Sequence, residues 1–280
     1  EAVRNRGYRI LEYPDVLSKE EIESQMQTDC FGKHVVYYEE TDSTNTRVKQ
    51  LAEQGAQQGT LVVADRQSAG KGRRGRGWES PKGENIYMSL LLRPKIEPSK
   101  APMLTLVMAY SVALAIREQE ELEVGIKWPN DLVVGTKKIC GILTEMNAEI
   151  DYINYVVIGV GINVNVKKFP EELSEKATSL FNEQGKEVRR AVLMAKIMQL
   201  FEENYERFLK EQNLAFLQEA YNQLLVSRGR EVTVLEPGHE YHAHAIGINE
   251  TGELLVRKED GKEEAVFAGE VSVRGIYGYV

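Results

Sequence analysis

Gly70-Lys71-Gly72-Arg73-Arg74-Gly75-Arg76-Gly77-Trp78 sets four glycines and four cations in nine residues and closes them with an indole. Packing does not ask for such a run. Glycine loses more backbone entropy on folding than any other residue, and crowded like charges repel. An anionic guest explains both costs. Glycines let the backbone approach closely and offer several N–H groups, Arg supplies a planar fork for phosphate or carboxylate, and Trp78 adds a flat face for a base. The bland alternative is a solvated basic loop, which needs neither the glycine spacing nor the Trp. Gly70, Gly72 and Gly75 satisfy the dinucleotide spacing G-x-G-x-x-G, yet Pro81 prevents the helix that must follow it. A Walker loop needs Gly-Lys-Ser/Thr, which the chain lacks. The run is therefore a different anion cradle.

Its flanks decide the fold. Leu61 to Ala64 reads as a buried strand entering the loop, and Asn85 to Leu92 as a strand leaving it, stopped by Arg93-Pro94. A loop between two core strands is where a rigid scaffold carries function. Upstream, Ser18 with Glu21 outlines a capping box, and a helix capped within Thr41-Asp42-Ser43-Thr44-Asn45 runs to Gly55 with Val48, Leu51 and Ala52 on one face. Tyr8 to Leu11 reads as a short strand with no partner before it. Downstream, Pro102 to about Ile116 is apolar nearly all round, a buried helix. Strands follow at Leu132 to Val134 and Tyr155 to Val160, then two amphipathic helices between 190 and 225. From Ser227-Arg228-Gly229 onward, alternating segments and turns at Pro237-Gly238, Thr251-Gly252 and Asp260-Gly261 indicate a small all-β unit, a barrel.

Composition bounds the function. The chain has 280 residues, 42% hydrophobic and 28% charged, with 35 Lys and Arg against 43 Asp and Glu for a formal charge of −8. That is an ordinary globular composition of roughly two domains. An acidic chain does not bind nucleic acid through bulk charge, so the basic loop serves a local, small anion. Cys30 and Cys140 make no disulfide framework, and no stretch reads as a membrane span or signal peptide, which points to the cytoplasm. His239, His242 and His244 lack a third ligand at metal spacing and read as surface strand residues. No Ser-His-Asp or Cys-His nucleophile pattern is present.

Further segments carry chemistry. Lys127-Trp128-Pro129-Asn130-Asp131 is a tight turn at a sheet edge, either an ordinary Pro-Asn-Asp turn or a device that presents Lys, Asn and Asp together. Lys138-Ile139-Cys140-Gly141-Ile142-Leu143-Thr144-Glu145 is a strand opening on a cation. Gly159 and Gly161 alternate along a strand and so face one side, as a bulge, a close packing contact or a seat for a flat ligand. Five small polar residues at 41–45 exceed the needs of one cap.

Together these segments resemble the biotin protein ligases of the bacterial type that doubles as the biotin-operon repressor. The match runs through Thr41 to Asn45, Gln67, Gly70 to Trp78, Lys127 to Asp131, Lys138 to Leu143 and Gly159 to Asn163. It continues to Gly269-Glu270-Val271-Ser272-Val273-Arg274. The resemblance implies an α+β fold: a mixed β-sheet flanked by helices, akin to class II tRNA synthetases, over 21–227, then an SH3-like β domain over 228–280. Residues 1–20 resemble the wing and linker of a winged helix-turn-helix whose recognition helix is absent, so the chain is expected to ligate biotin without reading an operator. The implied chemistry is ATP-dependent formation of biotinyl-5′-AMP, with Mg²⁺ accompanying ATP and no tightly bound metal. Biotin then passes to a lysine of a biotin carboxyl carrier protein, of acetyl-CoA carboxylase or pyruvate carboxylase. An adenylate-bound homodimer is implied, and DNA only for a full-length form.

By position, the resemblance gives catalytic roles to Arg73, Lys138, Asp131 and Lys127. It puts biotin against Ser43, Thr44, Asn45, Gln67, Gly70, Lys71, Arg73, Lys138, Gly141, Gly159 and Gly161. It puts the adenylate against Arg73, Arg74, Arg76, Trp78, Asn130, Asp131, Asn163, Glu270 and Arg274, with Trp78 on adenine and Asp131 the candidate Mg²⁺ contact. A lipoate or octanoate ligase shares the fold and the acyl-adenylate logic, but the glycine and arginine loop with Lys127 to Asp131 argues against it. A DNA-binding biotin sensor without turnover is the other alternative.

Overall fold

The computed structural model describes residues 2–3, 7–8, 14–236, 239–268 and 272–275. It opens on β1 (Ala2–Val3) and β2 (Gly7–Tyr8), paired antiparallel with Ala2 opposite Tyr8. The strand expected alone at Tyr8 to Leu11 is thus one arm of a minimal hairpin; residues 9–11, the turn at 237–238 and Glu270 lie outside the described residues. Helix α1 (Lys19–Gln25) begins as expected, Ser18 Oγ accepting the Glu21 N–H at 3.2 Å. Then come β3 (His34–Tyr38), α2 (Thr44–Glu53), β4 (Thr60–Ala64), β5 (Ile86–Leu92) and α3 (Met103–Glu120). A hairpin of β6 (Gly125–Lys127) and β7 (Asp131–Val134) leads into the long β8 (Lys137–Ala148) and β9 (Ile153–Ile162). Short α4 (Glu171–Ser174) and α5 (Leu180–Gln184) precede α6 (Arg190–Glu211) and α7 (Gln218–Leu224). The chain ends in β10 (Glu231–Glu236), β11 (His239–Ile248), β12 (Leu254–Arg257), β13 (Glu263–Val266) and β14 (Ser272–Gly275).

Two larger sheets result. The first runs β3-β4-β5-β9-β8-β7-β6, parallel between β3 and β4 and antiparallel elsewhere, a mixed sheet. The second is antiparallel in the order β13-β12-β11-β10-β14. One face of the first sheet (Leu61, Met88, Leu90, Ile142, Ile158, Val160) packs into the main core with α3 and α6. α3 is apolar enough to cross a bilayer by composition, but most of it is buried inside the fold. On the opposite face, α2 buries Val48 and Ala52 against Val62, Leu91 and Val157, the full burial of a side chain the size of Val48 contributing roughly 1.5–3 kcal/mol. α2 is short and leaves the rest of that face open for a site.

The C-terminal sheet is pinned to α7 and to the β6–β7 turn by hydrogen bonds. The Asn222 side chain accepts the Ile248 N–H at 2.7 Å. The buried Trp128 indole N–H donates to the Gly252 carbonyl at 3.0 Å. Trp128→Phe keeps the ring and orphans that carbonyl. We expect it to lower unfolding free energy by about 1–2 kcal/mol, read as an earlier urea midpoint. In β11, His242 and His244 meet Thr233 and Glu231 across the β10–β11 pair.

Candidate active site

Cross-strand register builds the floor of the site. Tyr87, Gly161, Gly141, Asp131 and Lys127 stand opposite one another in a single row across β5, β9, β8, β7 and β6. Residues directly opposite share a face, so two glycines form a trough with a tyrosine at one end and a Lys–Asp pair at the other. The next row on that face is Ser89, Gly159 and Leu143. The indole of Trp78 lies in the trough. A Cβ at Gly161 would stand 2.6 Å from its Nε1, and one at Gly141 would stand 3.0 Å from its six-membered ring. The alternating glycines are therefore a close-approach seat and not a bulge.

The basic run forms a closed hairpin over this floor. Lys71 and Gly77 bridge, the Gly72 N–H donates to the Arg76 carbonyl at 2.7 Å, and the Trp78 N–H to the Gly70 carbonyl at 3.0 Å. Gly70 does not line the cavity as expected. It is glycine because a Cβ there would come within 2.4 Å of the Trp78 carbonyl where the two strands cross. Arg74 holds the left-handed conformation at φ 57°. Arg73 turns inward, donating to Asn130 Oδ1 at 2.7 Å and to the Ala268 carbonyl at 3.0 Å. One side chain so ties the loop, the β6–β7 turn and the C-terminal sheet together. Burial lowers its pKa, partly offset by Asp131.

Three spaces meet at this arginine, and Arg73 and Asn130 line all of them. An inner cavity of about 50 Å³ is walled by Ser43, Thr44, Asn45, Gln67, Lys71, Tyr87, Gly141, Gly159 and Gly161. An outer cleft of about 670 Å³ is lined by Arg74, Arg76, Asn85, Asp131, Asn163, Val166 and Lys176. Trp78 and Lys138 border both, so the indole is the partition between them. The outer cleft falls within the roughly 300–1,000 Å³ usual for small-molecule pockets, and the inner cavity adjoins it across Trp78 and Lys138. A third space of about 220 Å³ opens between the start of α3 and β8, past Pro102, Thr105, Ile142, Thr144 and Met146.

The cap at the start of α2 differs from expectation. Ser43 occupies the cap position but its hydroxyl bonds no helix N–H. Gln67 supplies the cap instead, its Oε1 accepting the Thr44 N–H at 2.9 Å, while Asp42 accepts the Ser43 N–H at 2.7 Å. Borrowing the cap from another segment leaves Ser43 and Thr44 to the cavity. Asn45 lines the wall through its Oδ1, its amide nitrogen being bonded to Glu145 and to the Leu143 carbonyl. Lys71 donates to Thr46 at 3.0 Å, and Asn163 to the Thr178 carbonyl at 3.1 Å.

At the charged end, Lys138 Nζ is 2.6 Å from Asp131 Oδ1 and 5.2 Å from the Trp78 ring centre, within cation–π range. Asn130 Nδ2 donates to the same Asp131 oxygen at 2.9 Å. Asp131, the expected Mg²⁺ contact, thus serves here as counter-charge to Lys138. Among the described residues no group of three or more His, Cys, Asp or Glu could hold a metal ion. Lys127 lies behind Asp131, buried. Burial pushes its pKa down to about 7, with Lys138, Arg274 and Arg76 adding repulsion and Asp131 opposing. Arg274 of β14 is thereby placed in the same electrostatic field as the loop.

That pKa fixes a sign. Between about pH 7 and the ordinary 10.5 the unfolded chain binds the extra proton, so stability rises with pH across this window. We expect the wild type to gain on Lys127→Met as pH climbs from 7 to 10, read from urea midpoints at three pH values. An unchanging difference would refute the shift.

Reading residues in isolation missed Ser89, Tyr87 and Ser80. Ser89 is fully buried with Oγ 2.7 Å from Thr44 Oγ1 and 2.6 Å from Asn45 Oδ1. Ser80 accepts from Gln67 Nε2 at 3.0 Å. The available signal was the Tyr87 and Ser89 hydroxyls, two residues apart inside the apolar run Ile86 to Leu92.

Known proteins resemble this chain in sequence and fold. Residues 37–163 match the biotin/lipoate A/B protein ligase family, and residues 228–274 match the biotin protein ligase C-terminal domain. The bifunctional ligase/repressor BirA of Bacillus subtilis (strain 168) is 40% identical over 265 residues, 93% of this chain and 81% of that protein. The structure of biotin protein ligase from Aquifex aeolicus in complex with biotin and ATP superposes with a TM-score of 0.77 at 33% identity, covering 87% of this chain and 99% of that one. The Leishmania major biotin protein ligase in complex with biotinyl-5-AMP gives 0.56 at 25% identity, covering 84% and 99%. With both family segments in order and a 40% identical relative covered over four fifths of its length, this chain belongs to the biotin protein ligase family.

Proposed function

We propose that the chain activates biotin with ATP and transfers it to a lysine of a biotin carboxyl carrier protein, the trough with Arg73 at the junction of its cavities being the observation that carries the reading. A carboxylate oxygen of biotin attacks the α-phosphorus of ATP, the bond to pyrophosphate breaks, and biotinyl-5′-AMP forms. The lysine amine then attacks the acyl carbon, AMP leaves, and the amine loses a proton. Neither half needs a nucleophile from the protein. Both need anions held together and charge neutralised as it moves.

The residues divide accordingly. Ser43, Thr44 and Gln67 hold the ring end of biotin over Gly159, and Gly141 and Gly161 let the Trp78 indole lie against the sheet beside it. Arg73 and Lys138 face the carboxylate and α-phosphate, and Lys71, Arg74 and Arg76 add positive potential along the loop. The nucleotide takes the outer cleft, with Trp78 at the seam and Asn130 and Asn163 on its walls. Asp131 and Lys127 form a proton-sharing pair beside the reacting centre, in reach of an incoming amine. Mg²⁺ enters on the phosphates of ATP, as is usual for that ion. Arg274 and Glu270 are assigned to the adenylate side.

The carrier protein is that of acetyl-CoA carboxylase or pyruvate carboxylase, an adenylate-bound homodimer is the assembly, and the cytoplasm is the compartment. A longer form bearing a helix-turn-helix would add operator binding, as the repressor names of its relatives suggest. Incubation with ATP, Mg²⁺ and either biotin or lipoate separates the readings. Pyrophosphate release with biotin is expected; release with lipoate alone would overturn the proposal. Label appearing on the carrier lysine would dismiss a sensor without turnover.

A further inference from the structure

One guanidinium closes the base of the basic loop. Arg190 opens α6, and its side chain is only 4% exposed. Position and burial both disfavour a cation there, since a helix N-terminus repels it and a buried charge loses its hydration. Its bonds explain the choice. Nη1 donates to Asp65 Oδ1 at 2.9 Å and to the Asn85 carbonyl at 3.2 Å. Asp65 is the residue that leaves β4, and Asn85 is the one that enters β5. Both ends of the loop that carries Arg73 and Trp78 therefore meet on a single nitrogen. Asp15, from the segment before α1, braces the guanidinium. Its Oδ1 accepts the Arg190 N–H at 2.9 Å, so it caps a helix whose own cap residue, Arg189, makes no side-chain cap bond. Its Oδ2 accepts from Arg190 Nε at 2.6 Å and from Asn165 Nδ2 at 3.1 Å. The Asn165 N–H donates to the Glu84 carbonyl at 2.6 Å, and the Val164 N–H to Asn85 Oδ1 at 2.9 Å. The 163–166 wall of the outer cleft is tied to the same knot.

The two arms of the loop are not held alike. The first has an anchor of its own: the Arg66 carbonyl accepts the Thr41 N–H, and the Ser68 and Ala69 N–H groups donate to the Thr41 and Asp42 carbonyls. That anchor keeps Gln67 beside Thr44. The second arm, 79–85, borders the outer cleft through Glu79, Pro81, Glu84 and Asn85. Apart from Ser80 at Gln67, it reaches the sheet through the Pro81 carbonyl, which accepts from Tyr87 Oη at 3.1 Å. Tyr87 Oη in turn accepts from Asn85 Nδ2 at 2.9 Å, so the placement of this arm runs back to Asn85 and Arg190. We propose that Arg190, braced by Asp15, is a positioning residue for the nucleotide half of the reaction. It sets the spacing of Asp65 and Asn85, and with it the height of the second arm and of the 163–166 wall over the outer cleft. A buried ion cluster adds little net stability, because desolvation offsets the attraction; what it fixes here is geometry. The inference rests on the function proposed above and names what holds its nucleotide cleft in shape.

Arg190→Lys tests it. The ammonium keeps a charge between the two aspartates but lacks the planar fork, so it cannot bond Asp15 and span Asp65 and Asn85 together. In the full chain we expect KM for ATP to rise about tenfold and biotinyl-5′-AMP to escape about tenfold faster, the loss of one charge-assisted hydrogen bond. Biotin affinity by titration calorimetry should stay within about twofold, because Gln67 keeps its anchor on Thr41 and Asp42. A role in stability alone predicts the opposite split: a smaller active fraction and an earlier melt, with KM for ATP and the escape rate unchanged. Asp65→Asn weakens the same bond without touching Arg190. It should raise KM for ATP and the escape rate about threefold even if Arg190→Lys proves unstable on melting. Wild-type values of both in every variant that folds, or biotin affinity falling in step with them, would overturn the positioning role. Failure of the wild type to release pyrophosphate with biotin would instead overturn the functional reading on which it rests.

Discussion

Replacing Arg73 by Gly should leave biotin binding within a few-fold and raise the escape of biotinyl-5′-AMP by about 10²–10³, the usual cost of removing one well-placed electrostatic donor. Arg73 is the only side chain of the basic run that reaches inward to both Asn130 and the Ala268 carbonyl among the bonds described. Removing it subtracts a guanidinium from the point where the three cavities meet. It also cuts the loop from the β6–β7 turn and the C-terminal sheet at once. In the proposed placement the ring end of biotin lies against Ser43, Thr44 and Gln67, away from both, so the acyl-adenylate is expected to suffer and free biotin is not. Chasing pre-formed labelled adenylate with excess cold ligand gives the rate. Escaped anhydride should also label stray lysines on bystander protein. An unchanged dissociation rate would show that the bonds seen for Arg73 are structural only.

Gly159→Ala should weaken biotin by about 10- to 100-fold and destabilise the fold by about 1–3 kcal/mol. Its Cβ would stand 2.1 Å from Asn45 Oδ1, a distance that no rotamer change of the alanine can relieve. The amide is held from behind by Glu145 and Leu143, so it must abandon one of those bonds or push into Ser89. Either outcome disturbs the hydroxyl chain that presents Thr44 to the cavity. Calorimetric titration with biotin and a thermal melt measure the two effects separately. Normal affinity in a folded variant would mean that the polar wall is not the ring-binding surface.

Much of this site was legible in the residues. The basic run, the 127–131 turn, the Lys138 strand and the paired glycines each announced themselves by composition that packing alone does not explain. Their order along the chain carried the family. Register, however, is a tertiary fact. Nothing local says that Gly141 lies opposite Gly161 and next to Asp131, which is what turns separate motifs into one trough. Ser89 was passed over because one hydroxyl inside an apolar strand is ordinary until Gly159 is found beside it.

Other departures share a cause. A serine at the start of a helix reads as its cap by local propensity, yet Gln67 arrives from a distant segment and takes that duty. Gly70 reads as part of a ligand cradle, but the constraint on it is a carbonyl of its own loop. His34 to Tyr38 and Gly125 to Lys127 were not recognised as strands. Both sit at the edges of the sheet, where one neighbour is missing and the alternation is short.

In the proposed reaction one site serves biotin, adenylate and acceptor in succession. Mass spectrometry of a biotin carboxyl carrier protein, after incubation with this chain, ATP, Mg²⁺ and biotin, tests it most directly. A single biotinyl group on one carrier lysine is expected, dependent on ATP and lost with Arg73→Gly as labelling scatters to other lysines. Adenylate bound to the chain with no modified carrier, or a carrier modified only when lipoate replaces biotin, would contradict it.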